Sequence, residues 1–206
     1  MSGLVVVGAG PGIGIAVAKR FAREGMSVGL IARSSPSVEG LPDALAVKAD
    51  STDEVGLRAA LDQVVEEYGV PEVVVYNAAL IQPDAVGDLT ARQHLDAWAV
   101  NVVGAITTAA HVVPAMVERG SGSFIITGGM PEPKPAYVSL SLGKAGVRTL
   151  VTLLDQQYGA TGIHAASVTV NGAVGPGTAW DPDEIADHYW RLHSQPRAEW
   201  QHEVVV

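Results

Sequence analysis

The chain contains no cysteine. Disulfides, thiolate catalysis and cysteine-ligated metal are therefore excluded together, and a reducing, cytoplasmic setting is the expectation. Basic residues are scarce as well. Lys and Arg number 13 against 22 Asp and Glu, for a formal net charge of -9, and no Lys/Arg-rich run occurs. Such a surface repels phosphate backbones and anionic lipids, which argues against nucleic acid or a membrane as partner. Histidines are few and poorly spaced for metal. His188 and His193 lie five apart, and His94, His111, His164 and His202 read as isolated surface or packing residues, so no metal site is expected. Residues 4–18 carry no charge, yet four glycines and a proline interrupt them, so a buried strand and helix start fit better than a targeting or membrane segment. No repeat, linker or low-complexity stretch appears, and residues 1–206 read as one domain.

What the chain does have is 48% hydrophobic and 17% charged residues, the composition of a globular protein with a substantial core. The most informative stretch runs Val5-Val6-Val7-Gly8-Ala9-Gly10-Pro11-Gly12-Ile13-Gly14-Ile15-Ala16, an apolar strand turning through glycines into a helix. Backbone N–H groups at such a helix start form a site for a pyrophosphate. Gly8, Gly12 and Gly14 fit G-x-x-x-G-x-G, whereas G-x-G-x-x-G fails because Ile13 stands at its third glycine. No Gly-Lys-Ser/Thr follows, so a triphosphate loop is excluded. A bland strand–turn–helix is the competing reading of these glycines taken alone.

Short apolar runs alternate with longer helix-like segments. Strands are expected at 4–7, 27–32, 44–48, 72–76, 123–127 and 164–170, and helices at 12–24, 53–68, 90–118 and 138–158. That alternation points to an α/β fold with a parallel sheet covered on both faces. Asp181-Pro182-Asp183-Glu184 spells an N-cap, a proline at the first helical position and acids in the first turn of a last helix. Residues 203–206 are expected as an edge strand.

Further motifs line up behind the glycine loop: Tyr76-Asn77-Ala78-Ala79 after the fourth strand, Asn101 within a long helix, and Lys144 in Ser141-Leu142-Gly143-Lys144-Ala145-Gly146. In this order, over nearly the whole chain, they resemble the short-chain dehydrogenase/reductase family. The resemblance implies a Rossmann-type doubly wound parallel sheet in three α/β/α layers, with a nicotinamide dinucleotide at the carboxyl ends of the strands. Its binding residues would be Gly8, Gly10, Gly12, Ile13, Gly14 and Asn77. Lys144 would hold the nicotinamide ribose. Asp50 would contact the adenine amine or simply cap a helix. Thr178, in a loop whose order departs from the family's Pro-Gly, would reach the nicotinamide amide. Family members associate as dimers or tetramers, so a homodimer or homotetramer is implied. After the second strand the sequence reads Ala32-Arg33-Ser34, without the acid that accepts from an NAD ribose. A guanidinium and a hydroxyl suit the 2′-phosphate of NADP, which favours NADP over NAD; a solvated surface arginine is the plain alternative.

The proton-transfer residues break the pattern. The family places Tyr four residues before Lys, where the ammonium lowers the phenol's pKa, but Leu140 stands there. The family's Ser falls at Gly128 or Gly129, leaving no hydroxyl unless Thr127 reaches in. Tyr137, seven residues before Lys144, is the remaining phenol. Two helical turns would put both on one face at an axial separation of roughly 10 Å. Tyr137 is then either the proton donor or a ring packed at the helix start, and Asn101 either carries a water relay or bonds to backbone. The segment after the sixth strand is short, and Trp180, Tyr189, Trp190 and Trp200 fall between about 175 and 206, as a lid, a subunit contact or packing of a terminal helix. Two functions compete. One is an NADP-dependent oxidoreductase moving hydride between nicotinamide and a small carbonyl or alcohol, with Tyr137, Lys144 and Asn101 as catalytic residues. The other is a silent NADP-binding sensor or scaffold.

Overall fold

The computed structural model describes residues 3–34, 36, 38–41 and 43–206. Seven strands form one parallel sheet: β1 (Gly3–Val7), β2 (Ser27–Ala32), β3 (Leu45–Lys48), β4 (Val73–Tyr76), β5 (Gly122–Gly129), β6 (Ile163–Val170) and β7 (Glu203–Val205). Their order is β3-β2-β1-β4-β5-β6-β7, which reverses direction between β1 and β4. At such a switch point the loops on the two sides diverge and open a crevice at the carboxyl ends of the strands.

Alternation along each strand feeds two cores. Val5, Val7, Val74, Tyr76, Phe124 and Ile126 face α2 (Glu54–Tyr68), α4 (Gly104–Arg119) and α5 (Val138–Tyr158). Leu4, Val6, Val73, Val75, Ile125 and Val168 face α1 (Ile13–Ala22) and α6 (Pro182–His193). Both faces being covered, the strands read as apolar runs, and the three-layer Rossmann-type fold follows.

The expected helix at 90–118 is present as α3 (Ala91–Trp98) and α4, joined by one wide π-turn at Ala99–Val103. The turn has a visible cause. Tyr76 donates its phenol to the Val100 carbonyl at 2.6 Å, and a Cβ on Gly104 would run into that hydroxyl. An extra residue in the turn releases the carbonyl the phenol takes. The run Ala91–Arg119 is long and apolar enough to cross a membrane, but Val102, Ala105, Ala109, Val112, Val113 and Met116 are buried against the sheet. Asp53 caps α2 by accepting from Gly56 N, and Asp181 caps α6 ahead of Pro182.

Candidate active site

The carboxyl ends of the central strands open into a cleft of about 1420 Å³. Its floor is the glycine turn. Gly8 and Gly12 have φ of 91° and 105°, which only glycine adopts freely. A Cβ on Gly8 would overlap the backbone of Ala78, and one on Gly14 would lie 2.7 Å from the Gly8 carbonyl. Gly10 and Gly12 differ: a Cβ there meets nothing within 4 Å. Two glycines therefore let backbones pack, and two leave bare backbone facing space. Ile15 and Ala16 already donate to the carbonyls of Gly10 and Gly12. The amides of Ile13 and Gly14 remain, at a helix start with no acid in its first turn. This donor set fits the diphosphate of a dinucleotide.

Arg33 and Ser34 follow β2, are exposed and border the same cleft. Lys19 borders it too, with its stem beside Gly40. The sequence reading missed Lys19, although it lies one helical turn beyond Ile15, which also lines the cleft. Asp50 is used locally, its Oδ1 accepting from Thr52 N at 2.9 Å and Thr52 Oγ1 at 2.8 Å. Thr178 donates to the Gly175 carbonyl and accepts from Trp180 N, closing its own exposed turn; Gly175 and Pro176, rather than Thr178, reach the cleft.

On the other side, Lys144 is buried on α5 and donates from Nζ to the Thr127 carbonyl at 2.7 Å. Burial pushes its pKa down to about 8. Leu140, one turn earlier, is buried and also lines the cleft. Gly128 and Gly129 separate here. A Cβ on Gly128 would run into Thr169, whereas one on Gly129 would sit 3.5 Å from Lys144 Cε, so Gly129 is the position beside the lysine.

Tyr137 reaches the cleft by a route the spacing did not suggest. It is the N-cap of α5, with φ -146° and ψ 56°, so its backbone stands just outside the helix that carries Lys144. Asp84 brackets it: Asp84 N donates to the Ala136 carbonyl and Val138 N donates to the Asp84 carbonyl. The buried Asp84 carboxylate then accepts from Ser139 N at 2.9 Å and from Ser139 Oγ at 3.1 Å. Its partner is 55 residues away, so no local pattern revealed it. Asn101 exchanges both side-chain groups with Leu80, accepting from its N at 2.8 Å and donating to its carbonyl at 3.3 Å.

Residues 3–180 match the short chain dehydrogenase family. The chain belongs to that family. It is 32% identical over 193 residues to cis-4-hydroxycyclohexanecarboxylate dehydrogenase of Sinomonas cyclohexanicum, covering 88% of this chain and 77% of that protein. It is 29% identical over 197 residues to glucose 1-dehydrogenase of Gluconobacter oxydans, covering 88% and 74%. In fold it superposes on the 3-ketoacyl-(acyl-carrier-protein) reductase of Brucella melitensis with a TM-score of 0.93, at 21% identity, over 100% of this chain and 96% of that one. The protein is thus an oxidoreductase of the short chain dehydrogenase type.

Within that family frame the C-terminal aromatics form individual packing contacts. Trp180 lies on Gly172 and donates to the Val206 carbonyl. Trp190 meets Phe21 edge-on at 5.2 Å with Arg20 over its ring, and Trp200 stacks on His164 at 4.6 Å. His193 shares a hydrogen bond with Ser123. The segment after β6 is held by Asn171 N to the Val206 carbonyl and Gly177 N to the Asp181 carboxylate.

Proposed function

We propose that this short chain dehydrogenase is an NADP-dependent reductase of small carbonyl compounds, or dehydrogenase of the corresponding alcohols. The carrying observation is that one cleft gathers the bare amides opening α1, the Arg33–Ser34 pair, the buried ammonium of Lys144 and the phenol of Tyr137. The amides of Ile13 and Gly14 take the diphosphate, with Gly8, Gly10 and Gly12 shaping the floor. Arg33 and Ser34, joined by Lys19, take the 2′-phosphate, since a planar guanidinium and an ammonium on the same cleft compensate its charge and the two residues after β2 carry no carboxylate. Asn77 and Lys144 hold the ribose end. When bound, the nicotinamide supplies or accepts the hydride.

This chain's own residues then manage the proton. As hydride arrives at the carbonyl carbon, Tyr137 Oη gives its proton to the substrate oxygen and recovers one from solvent at the mouth of the cleft. Lys144 places positive charge near the developing alkoxide. Gly129 and Leu140 contribute no proton and leave room beside the lysine stem. Asn101 spends its side chain on Leu80, which supports a part in holding the 78–84 segment rather than a side-chain water relay. Asp50 and Thr178, engaged in their own turns, serve the adenine and nicotinamide ends only if those turns open.

Residues 1–206 act as one domain, the last strand joining the same sheet as the first. The exposed apolar side chains Leu95, Trp98, Val103 and Ile106 on α3–α4, with Leu142 and Leu153 on α5, support pairing with a second copy across these helices. The test is NADPH oxidation against a panel of ketones and aldehydes with wild type and Tyr137→Phe. Turnover of a carbonyl by wild type, reduced about 10²-fold or more in the variant, is expected. Undiminished turnover in Tyr137→Phe removes the phenol from the mechanism. Saturable NADPH binding with no turnover of any carbonyl favours the silent sensor or scaffold.

A further inference from the structure

The last helix reaches beneath the dinucleotide cleft through one phenol. Tyr189 on α6 is fully buried, and its hydroxyl lies 2.7 Å from Thr127 Oγ1. Thr127 Oγ1 lies 2.8 Å from Asn77 Oδ1, and Asn77 Nδ2 donates to the Gly8 carbonyl at 2.8 Å. The far end of this hydrogen-bonded series fixes its direction. Asn77 must present its NH2 to Gly8, because a carbonyl only accepts. Its Oδ1 therefore faces Thr127 and needs a donor, so the single Thr127 proton goes to Asn77. The Thr127 oxygen is then free only to accept, and Tyr189 must donate to it. Burial, which raises the phenol's pKa, keeps that proton on Tyr189.

The chain ends where the glycine turn is tightest. A Cβ on Gly14 would lie 2.7 Å from the Gly8 carbonyl and 3.2 Å from Asn77 Nδ2, so the start of α1 rests directly on the Asn77–Gly8 bond. The same Thr127, through its own carbonyl, holds Lys144 Nζ at 2.7 Å. One residue thus ties the glycine turn, the lysine and the C-terminal helix together. We propose that Thr127 and Tyr189 are positioning residues of the dinucleotide site, fixing the Gly8 carbonyl and with it the amides that open α1. Their hydroxyls are spent on each other and on Asn77. Their part is to hold Asn77 in the one amide orientation that leaves the floor of the cleft fixed. A half-satisfied buried network would let that amide turn.

This rests on the dinucleotide reading above, and the test separates the two. NADPH is titrated by its own fluorescence into wild type, Thr127→Val, Thr127→Ser, Tyr189→Phe and the Thr127→Val/Tyr189→Phe double variant, with thermal unfolding of each unliganded protein alongside. Thr127→Val is expected to weaken binding about tenfold. Thr127→Ser, which keeps the hydroxyl, returns to within about threefold of wild type, and Tyr189→Phe weakens binding about threefold to fivefold. Because both residues act in one chain, the double variant binds no more weakly than Thr127→Val alone. Wild-type affinity in both Thr127→Val and Tyr189→Phe overturns the inference, as does a serine variant no better than valine. Should Thr127→Val fail to fold, Tyr189→Phe at wild-type affinity is by itself contradictory. Failure of wild type to bind either NADPH or NADH overturns the dinucleotide reading instead, and binding of NADH alone moves the same variant titrations to NADH.

Discussion

Across the cleft, the end formed by β1, α1 and β2 presents backbone, whereas the end formed by β5 and α5 presents side chains. At the first end the glycines either let two main chains touch, as at Gly8 and Gly14, or leave main chain bare, as at Gly10 and Gly12. At the second end Leu140 and Gly129 stand where the family resemblance placed a phenol and a hydroxyl, and Tyr137 comes in from outside the helix. A site made of backbone has few substitutes, because only one residue type permits its geometry. A site made of side chains can be rebuilt from another position, provided the new group reaches the same space. On the proposed reading, the contrast accounts for a glycine turn that fits the family resemblance beside a lysine end where Leu140 and Gly129 depart from it.

Gly8→Ala tests the backbone end most severely. Its positive φ and the overlap of the new Cβ with Ala78 should cost about 3 kcal/mol or more. Denaturant unfolding would show that loss, and NADPH titration should show no binding. Retention of both would mean that the turn is not built as described.

Lys144→Met is next. Burial holds the ammonium near 8, below its ordinary 10.5. Below pH 8 the group is charged in both folded and unfolded chains, and the cost of burying it, about 3 kcal/mol, is fully present. Between about pH 8 and 10.5 the folded chain has released the proton that the unfolded chain still holds, so this group's contribution to stability improves as pH rises. The methionine variant, once its lost bond to Thr127 is allowed for, should therefore be more stable than wild type at pH 7, with the gap narrowing toward pH 10. Its turnover should fall at every pH. Unfolding curves measured across that range check the sign.

Two smaller effects sharpen the contrast. Arg33→Ala should reduce the preference for NADPH over NADH by about tenfold, read as a ratio of dissociation constants, with little effect on stability. Asp53→Ala removes an N-cap whose own side chain bonds Gly56 N and does not line the cleft. It should cost about 1 kcal/mol in thermal unfolding and leave NADPH affinity unchanged.

Elements fixed by local signals were legible in the sequence. The expected helix at 138–158 coincides with α5, the strand at 27–32 with β2, and the Asp181-Pro182 signal with the start of α6. Features fixed by distant contacts were not. β5 runs on through Gly128 and Gly129, poor strand formers, because pairing with Thr169 and Val170 carries them. The π-turn depends on Tyr76 meeting Gly104, and the place of Tyr137 depends on Asp84. Tyr189 read as one aromatic among several until the fold set it against Thr127. In the candidate site, the glycine turn was legible from its spacing and Lys144 from the family resemblance, whereas the groups that hold them were not.

The proposed function stands or falls with the amides that open α1 and would carry a dinucleotide's diphosphate. The most direct measurement follows the backbone amide resonances of Gly12, Ile13 and Gly14 during titration with NADP+ and, separately, NAD+. Saturable shifts at these residues, half-complete at a lower concentration for NADP+, are the predicted result. Amide resonances that stay in place with both dinucleotides at millimolar concentration would contradict it.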